Sequence, residues 1–158
     1  MARILVFDSG VGGLAILRAL QRSTDLQHEP HQWLFCSDNA FFPYGTKKED
    51  ELIERVTDVL TALQDQHQPD IIVLACNTAS TIALESVRAR LSIPVVGVVP
   101  AIKPAARISQ SRAIGILATP GTISRSYTQK LIDDFAADCH ITRVGSSELV
   151  WMAEQYLR

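Results

Sequence analysis

Ile71-Ile72-Val73-Leu74-Ala75-Cys76-Asn77-Thr78-Ala79-Ser80 is the stretch that decides the fold. A β-branched apolar run of this length, bounded by polar residues, reads as a buried strand. It ends at a thiol, two small polar residues follow, and a helical pattern then begins. A strand feeding a helix with so short a turn is one step of a parallel α/β sheet. Cys76 falls at the carboxyl end of the strand, the edge where open α/β sheets bind ligands. A neighbouring helix N-terminus lowers a thiol's pKa, so this position predicts an available thiolate. A buried structural cysteine is the competing reading.

The alternation extends in both directions. Residues 4–7, 33–36, 71–75 and 95–98 read as strands, and residues 11–21, 49–67 and 78–90 as helices. In the long helix Leu52, Val56, Val59, Leu60 and Leu63 recur at helical spacing. Pro94, Pro100 and Pro104 punctuate residues 95–106, the best candidate boundary. Beyond them the pattern restarts: strands at 113–118 and 141–144, helices at 121–136 and from 148. The expected fold class is α/β, a parallel-sheet sandwich of two related lobes, with the second incomplete. Residues 1–98 would form the first lobe, carrying the Cys76 site, and residues 99–158 part of the second.

Composition narrows the function. The 158 residues carry 15 Lys and Arg against 17 Asp and Glu, a net charge of -2, which offers no basic surface for nucleic acid. No apolar run approaches the roughly 20 residues of a membrane helix. Asp8 follows the amino terminus too soon for a secretory signal, so the cytoplasm is the expected compartment. Cys36, Cys76 and Cys139 are odd in number and lack metal-ligand spacing, which argues against a disulfide framework. Cys36 and Cys139 read as packing residues. His28, His31, His67 and His140 are scattered at polar element ends and read as surface histidines.

Two further motifs stand at strand ends. Asp8-Ser9-Gly10-Val11-Gly12-Gly13 lacks the spacing of a nucleotide fingerprint and a Walker lysine. It fits a tight turn capped by Asp8 or Ser9, or a site in which Asp8 meets an ammonium or a mobile proton. Phe42-Pro43-Tyr44-Gly45 fits a simple turn or a binding loop.

Six segments together resemble glutamate racemases of the aspartate/glutamate racemase superfamily: FDSGVGGL (7–14), SDNAFFPYG (37–45), ACNTAS (75–80), VVGVVPAIKPA (95–105), ATPGTISRSY (118–127) and GSSELVWMAE (145–154). Ser80, where aspartate racemases tend to carry His, favours the glutamate branch. The resemblance implies inversion of glutamate at Cα by two cysteines without a cofactor, supplying D-glutamate for peptidoglycan. It makes Cys76 the thiol of one face and Asp8 its acidic helper. Ser9, Tyr44, Gly45, Asn77 and Thr78 would hold the substrate, with Thr119, Thr122 and Glu148 facing the cleft from the second lobe. Residues 122–127 resemble the branch activated by a nucleotide-linked muramoyl precursor, and a homo-oligomer is an open expectation. The family's second cysteine, in a G-C-T-H motif, has no counterpart within these residues, and Cys139 lacks the flanking Gly and Thr. The chain is therefore expected to be an amino-terminal portion with negligible turnover alone. Two alternatives stand beside this one: a glutamate- or dicarboxylate-binding module, and another single-thiol α/β enzyme, which lacks a histidine placed as base.

Overall fold

The computed structural model describes residues 1–26 and 29–157, so the expectation for His28 lies outside the described residues. Among the described residues six strands form two parallel sheets. The first has four strands in the order β2-β1-β3-β4: β1 (Arg3–Asp8), β2 (Gln32–Ser37), β3 (Ile71–Leu74) and β4 (Val95–Gly97). The second pairs β5 (Ala113–Ala118) with β6 (His140–Gly145).

The central strands are buried on both faces, as parallel strands require. One face packs on α2 (Glu49–His67), α3 (Asn77–Ile82) and α4 (Leu84–Arg90) through Leu5, Phe7, Leu52, Val56, Leu60, Ile72, Leu74 and Val87. The other packs on α1 (Gly13–Arg22) through Ile4, Val6, Val73, Ile16, Leu17 and Leu20. Leu52, Val56 and Leu60 are fully buried. Truncating one such leucine to alanine costs about 2–5 kcal/mol, a large share of a typical domain's stability of about 5–15 kcal/mol.

Three expectations about helices need correction. The helix read at 78–90 is two, meeting at Ala83 with φ -103° and ψ -8°. The proline-punctuated segment holds α5 (Ile102–Ile108). Pro104 is the third residue of α5, inside the first turn, where an amide has no intrahelical partner to lose. It therefore helps to open this helix instead of excluding it. The helix read at 121–136 is likewise divided, into α6 (Pro120–Ser124) and α7 (Ser126–Phe135). The last element is α8 (Glu148–Leu157).

The second sheet is clothed on one face. Ile114 and Ile116 pack with Ile102, Ala106, Ile132 and Ala136 from α5 and α7. Leu117 and Val144 are exposed. In α8 the residues Leu149, Trp151, Met152, Tyr156 and Leu157 are all exposed, and the buried residue is Glu154. A helix apolar around most of its circumference belongs in a core. Exposed apolar surface of this kind, beside an open strand edge, drives association. Sedimentation velocity at micromolar concentration is expected to show self-association of the chain. Leu117→Lys combined with Met152→Lys should shift it toward monomer with unchanged far-ultraviolet dichroism. A monomeric wild-type chain that melts cooperatively would contradict this.

Candidate functional site

Strand register brings the site together. In the β1–β3 pair Phe7 lies opposite Leu74, and the Ala75 amide donates to the Phe7 carbonyl at 2.7 Å. The residues that follow, Asp8-Ser9 and Ala75-Cys76, therefore leave the sheet side by side. The Cys76 thiol donates to Ser9 Oγ at 3.5 Å and accepts from the Ala79 amide at 3.5 Å, so it caps α3. Asp8 Oδ2 accepts from the Gly10 amide at 3.2 Å and the Gly13 amide at 3.1 Å, so Asp8 closes the turn into α1. Glycine at position 13 is required by close approach: a Cβ there would lie 2.6 Å from Asp8 Cβ.

Asp8, Ser9 and Cys76 are each less than a tenth exposed and lie on the wall of a cleft of about 690 Å³. Asn77, Thr78, Thr119 and Thr122 line the same cleft. The three threonines form a hydroxyl cluster between the two sheets: Thr78 Oγ1 lies 3.3 Å from both Thr119 Oγ1 and Thr122 Oγ1, which are 3.0 Å apart. Thr119 also caps α6, accepting from the Thr122 amide at 3.2 Å. An ion pair between Glu49 and Arg125 joins α2 to the start of α7.

Three of the expected site residues lie elsewhere. Tyr44 is buried in the main core, its hydroxyl donating to Asp38 at 2.8 Å. Gly45 packs against Thr119. Glu148 is exposed at the start of α8 and does not line the cleft. The carboxylate that α8 turns inward is Glu154, six residues and about 1.7 turns further on. Glu154 is buried, lines the cleft, and accepts from the Val11 amide at 3.1 and 3.2 Å. A Cβ at Gly10 would lie 2.6 Å from its carboxylate oxygens. An acid set within the apolar part of a helical run was the signal for it. Phe42 also lines the cleft and stacks edge-on with Trp151, ring centres 5.0 Å apart, which ties the loop to α8. Cys36 sits half-buried against the main core and Cys139 against the second, as the packing reading expects.

The thiol's acidity is the main correction. Burial, and then the neighbouring charge of Asp8, push the Cys76 thiol up to about 11. The Ala79 amide at the helix end pulls the other way and is outweighed. Burial likewise raises the Asp8 carboxyl, against the amides of Gly13, Gly10 and Ser9. At neutral pH the sulfur is therefore a protonated thiol, not the thiolate expected from its place beside a helix.

A model of the Asp/Glu/hydantoin racemase family matches residues 4–155. The chain belongs to this racemase family. The glutamate racemase of Shewanella loihica is 56% identical over 153 residues, covering 97% of this chain and 56% of that protein. That of Serratia proteamaculans is 49% identical, covering 98% and 52%. Among solved structures, Escherichia coli glutamate racemase in complex with L-glutamate and the activator UDP-MurNAc-Ala superposes with a TM-score of 0.89 at 46% identity. It covers 98% of this chain and 57% of that one. The Aquifex pyrophilus glutamate racemase superposes with a TM-score of 0.81 at 32% identity. The chain spans about half the length of the curated racemases it matches.

The acidity of this racemase-family site has a measurable consequence. Between the ordinary thiol value of 9.0 and about 11 the folded chain holds a proton at Cys76 that the unfolded chain has lost. Stability therefore falls as pH rises through that window, by on the order of 3 kcal/mol. Asp8 has the same sign at lower pH: its raised carboxyl loses stability on ionising, so at neutral pH that contribution is absent. Denaturant unfolding of a Cys36→Ala/Cys139→Ala background should show the alkaline fall, and Cys76→Ala should flatten it. Asp8→Asn should raise stability at neutral pH and narrow the alkaline window. A fall unaffected by Cys76→Ala would refute the assignment.

Proposed function

We propose that the chain carries the glutamate cleft and one of the two thiols of a cofactor-independent glutamate racemase. The observation that carries this reading is the buried Cys76–Ser9–Asp8 group opening onto a cleft whose walls come from both sheets. Residues 1–98 and 99–158 serve as the two lobes around it.

The site residues take roles that follow from their chemistry. The substrate's ammonium pairs with Asp8. That removes the charge which helps to hold the proton on Cys76, and the thiol proton leaves to solvent as the ligand enters. The thiolate then takes the hydrogen from Cα as a proton, and the electron pair is delocalised into the α-carboxylate. Hydroxyls and amides of Ser9, Asn77, Thr78, Thr119 and Thr122 stabilise that charge, which matters most where water is excluded. Return of a proton from Cys76 restores the same enantiomer. Inversion needs a donor on the opposite face, which the family supplies from a second cysteine.

The wider role is the family's: D-glutamate for peptidoglycan, in the cytoplasm. A nucleotide-linked muramoyl activator is a candidate partner. Support comes from the activator bound to the Escherichia coli relative and from a second cleft of about 610 Å³ lined by Arg88, Tyr127 and Lys130. Among the described residues no helix is long and apolar enough to cross a membrane.

Solvent deuterium exchange tests the proposal. The chain incubated with each glutamate enantiomer in heavy water should wash deuterium into one of them with negligible inversion, and Cys76→Ser should abolish the exchange. Interconversion of L- and D-glutamate that is lost in Cys76→Ser but persists in Cys139→Ser would overturn the one-thiol reading. Absence of both exchange and binding would overturn the glutamate site itself.

A further inference from the structure

Arg55 lies on α2, outside the cleft, yet it begins a run of contacts that ends there. Its Nη2 donates to Asp38 Oδ1 at 2.7 Å and its Nε to Asp38 Oδ2 at 2.8 Å. This is the two-pronged pairing for which a guanidinium is shaped and an ammonium is not. Asp38 is buried, with its side chain 4% exposed, whereas Arg55 is 39% exposed. The Tyr44 hydroxyl donates to the same Oδ2 at 2.8 Å. The Asp38 amide donates to the Asp8 carbonyl at 3.0 Å, so this carboxylate is anchored to the strand end that bears the site.

The next residues carry the connection across. Tyr44 is 1% exposed and meets the Phe41 ring edge-on at 6.2 Å; the Arg55 guanidinium lies 5.6 Å from the centre of that ring. Gly45 lies so close to the second sheet that a Cβ on it would be 2.8 Å from Thr119 Cβ. A Cβ on Gly121 would be 3.1 Å from the Gly45 carbonyl oxygen. Thr119 is the residue that bonds Thr78 and Thr122 in the cleft. The Tyr44–Gly45 backbone is therefore wedged between the Asp38 carboxylate and the hydroxyl cluster.

We propose that Arg55 is a positioning residue: its fork on Asp38, passed on through the Tyr44 hydroxyl, sets where the Tyr44–Gly45 backbone meets Thr119 and so fixes that wall of the cleft. The inference rests on the glutamate site proposed above. It assigns the Tyr44 phenol to anchoring, since its proton is already given to Asp38. The charges agree with the geometry. Arg55 holds the Asp38 carboxyl below the usual carboxylate range, and burial beside Asp38 pushes the Tyr44 phenol up.

The test compares wild type, Arg55→Lys, Tyr44→Phe and the double variant, well below their melting temperatures. L-glutamate affinity is measured by calorimetry. Amide exchange is followed at Phe41 and Lys47, whose amides donate to the Asp38 and Tyr44 carbonyls at 3.1 Å each. Arg55→Lys keeps the charge and loses the fork. Each single variant should weaken glutamate binding about tenfold or more, the scale of effect of a displaced site wall. Each should also speed exchange at both amides while α2 exchange is unchanged. The double variant should be no worse than either single one, because both act through Asp38. Lowered melting with unchanged affinity and exchange would show a purely structural ion pair and overturn the proposal, as would additive losses in the double variant. If wild type itself binds no glutamate, the reading of the cleft fails, and the exchange measurement still decides: unchanged exchange at Phe41 and Lys47 in Arg55→Lys overturns the positioning role.

Discussion

A thiol and a carboxyl buried side by side at the tips of adjacent parallel strands are the constraint on which this structure turns. Neither group gains from burial: desolvation raises both pKa values, and the Asp8 charge raises that of the thiol further. The fold tolerates the pair because backbone amides from two turns are directed at it. Gly10 and Gly13 donate to Asp8, and Ala79 donates to Cys76. Those turns exist because β1 and β3 are register-matched neighbours with helices starting directly after each. What remains is a site short of positive charge, suited to a cationic group entering beside Asp8.

The opposite wall is held by different physics. Among the described residues the buried apolar clusters of the two sheets are separate. Small contacts join them instead: three threonine hydroxyls, a glycine pressed on a threonine, the Glu49–Arg125 ion pair, the Phe42–Trp151 stack and the Glu154 carboxylate on the Val11 amide. Each such contact is individually weak. Behind them Asp38 is held from three directions by Arg55, Tyr44 and the strand end of β1.

Most of the architecture was legible in the chain. The long amphipathic helix at Glu49–His67 and the strand at Ala113–Ala118 stand where their periodicity put them, because each has a strong pattern and clear stops. The helix at Ile102–Ile108 was hidden because proline reads as a breaker until its position within the first turn is known. At the site, Asp8, Ser9 and Cys76 were legible from their places at strand ends. The protonated state of Cys76 was not, because a helix end argues locally for a thiolate whereas burial and the Asp8 charge arise from tertiary packing. The same limit applied to α8, where sequence matching placed Glu148 at the cleft and helical geometry brings Glu154 there. Arg55 carried no local mark at all: its partner lies 17 residues earlier, across a turn of the chain.

Ultraviolet titration of the Cys76 thiolate in a Cys36→Ser/Cys139→Ser background, with and without saturating L-glutamate, tests the coupling of Asp8, sulfur and ligand most directly. The account predicts a midpoint of about 11 in the empty chain and a clear downward shift when glutamate is bound. A midpoint at the ordinary thiol value in the empty chain, or one that glutamate leaves unmoved, would contradict it.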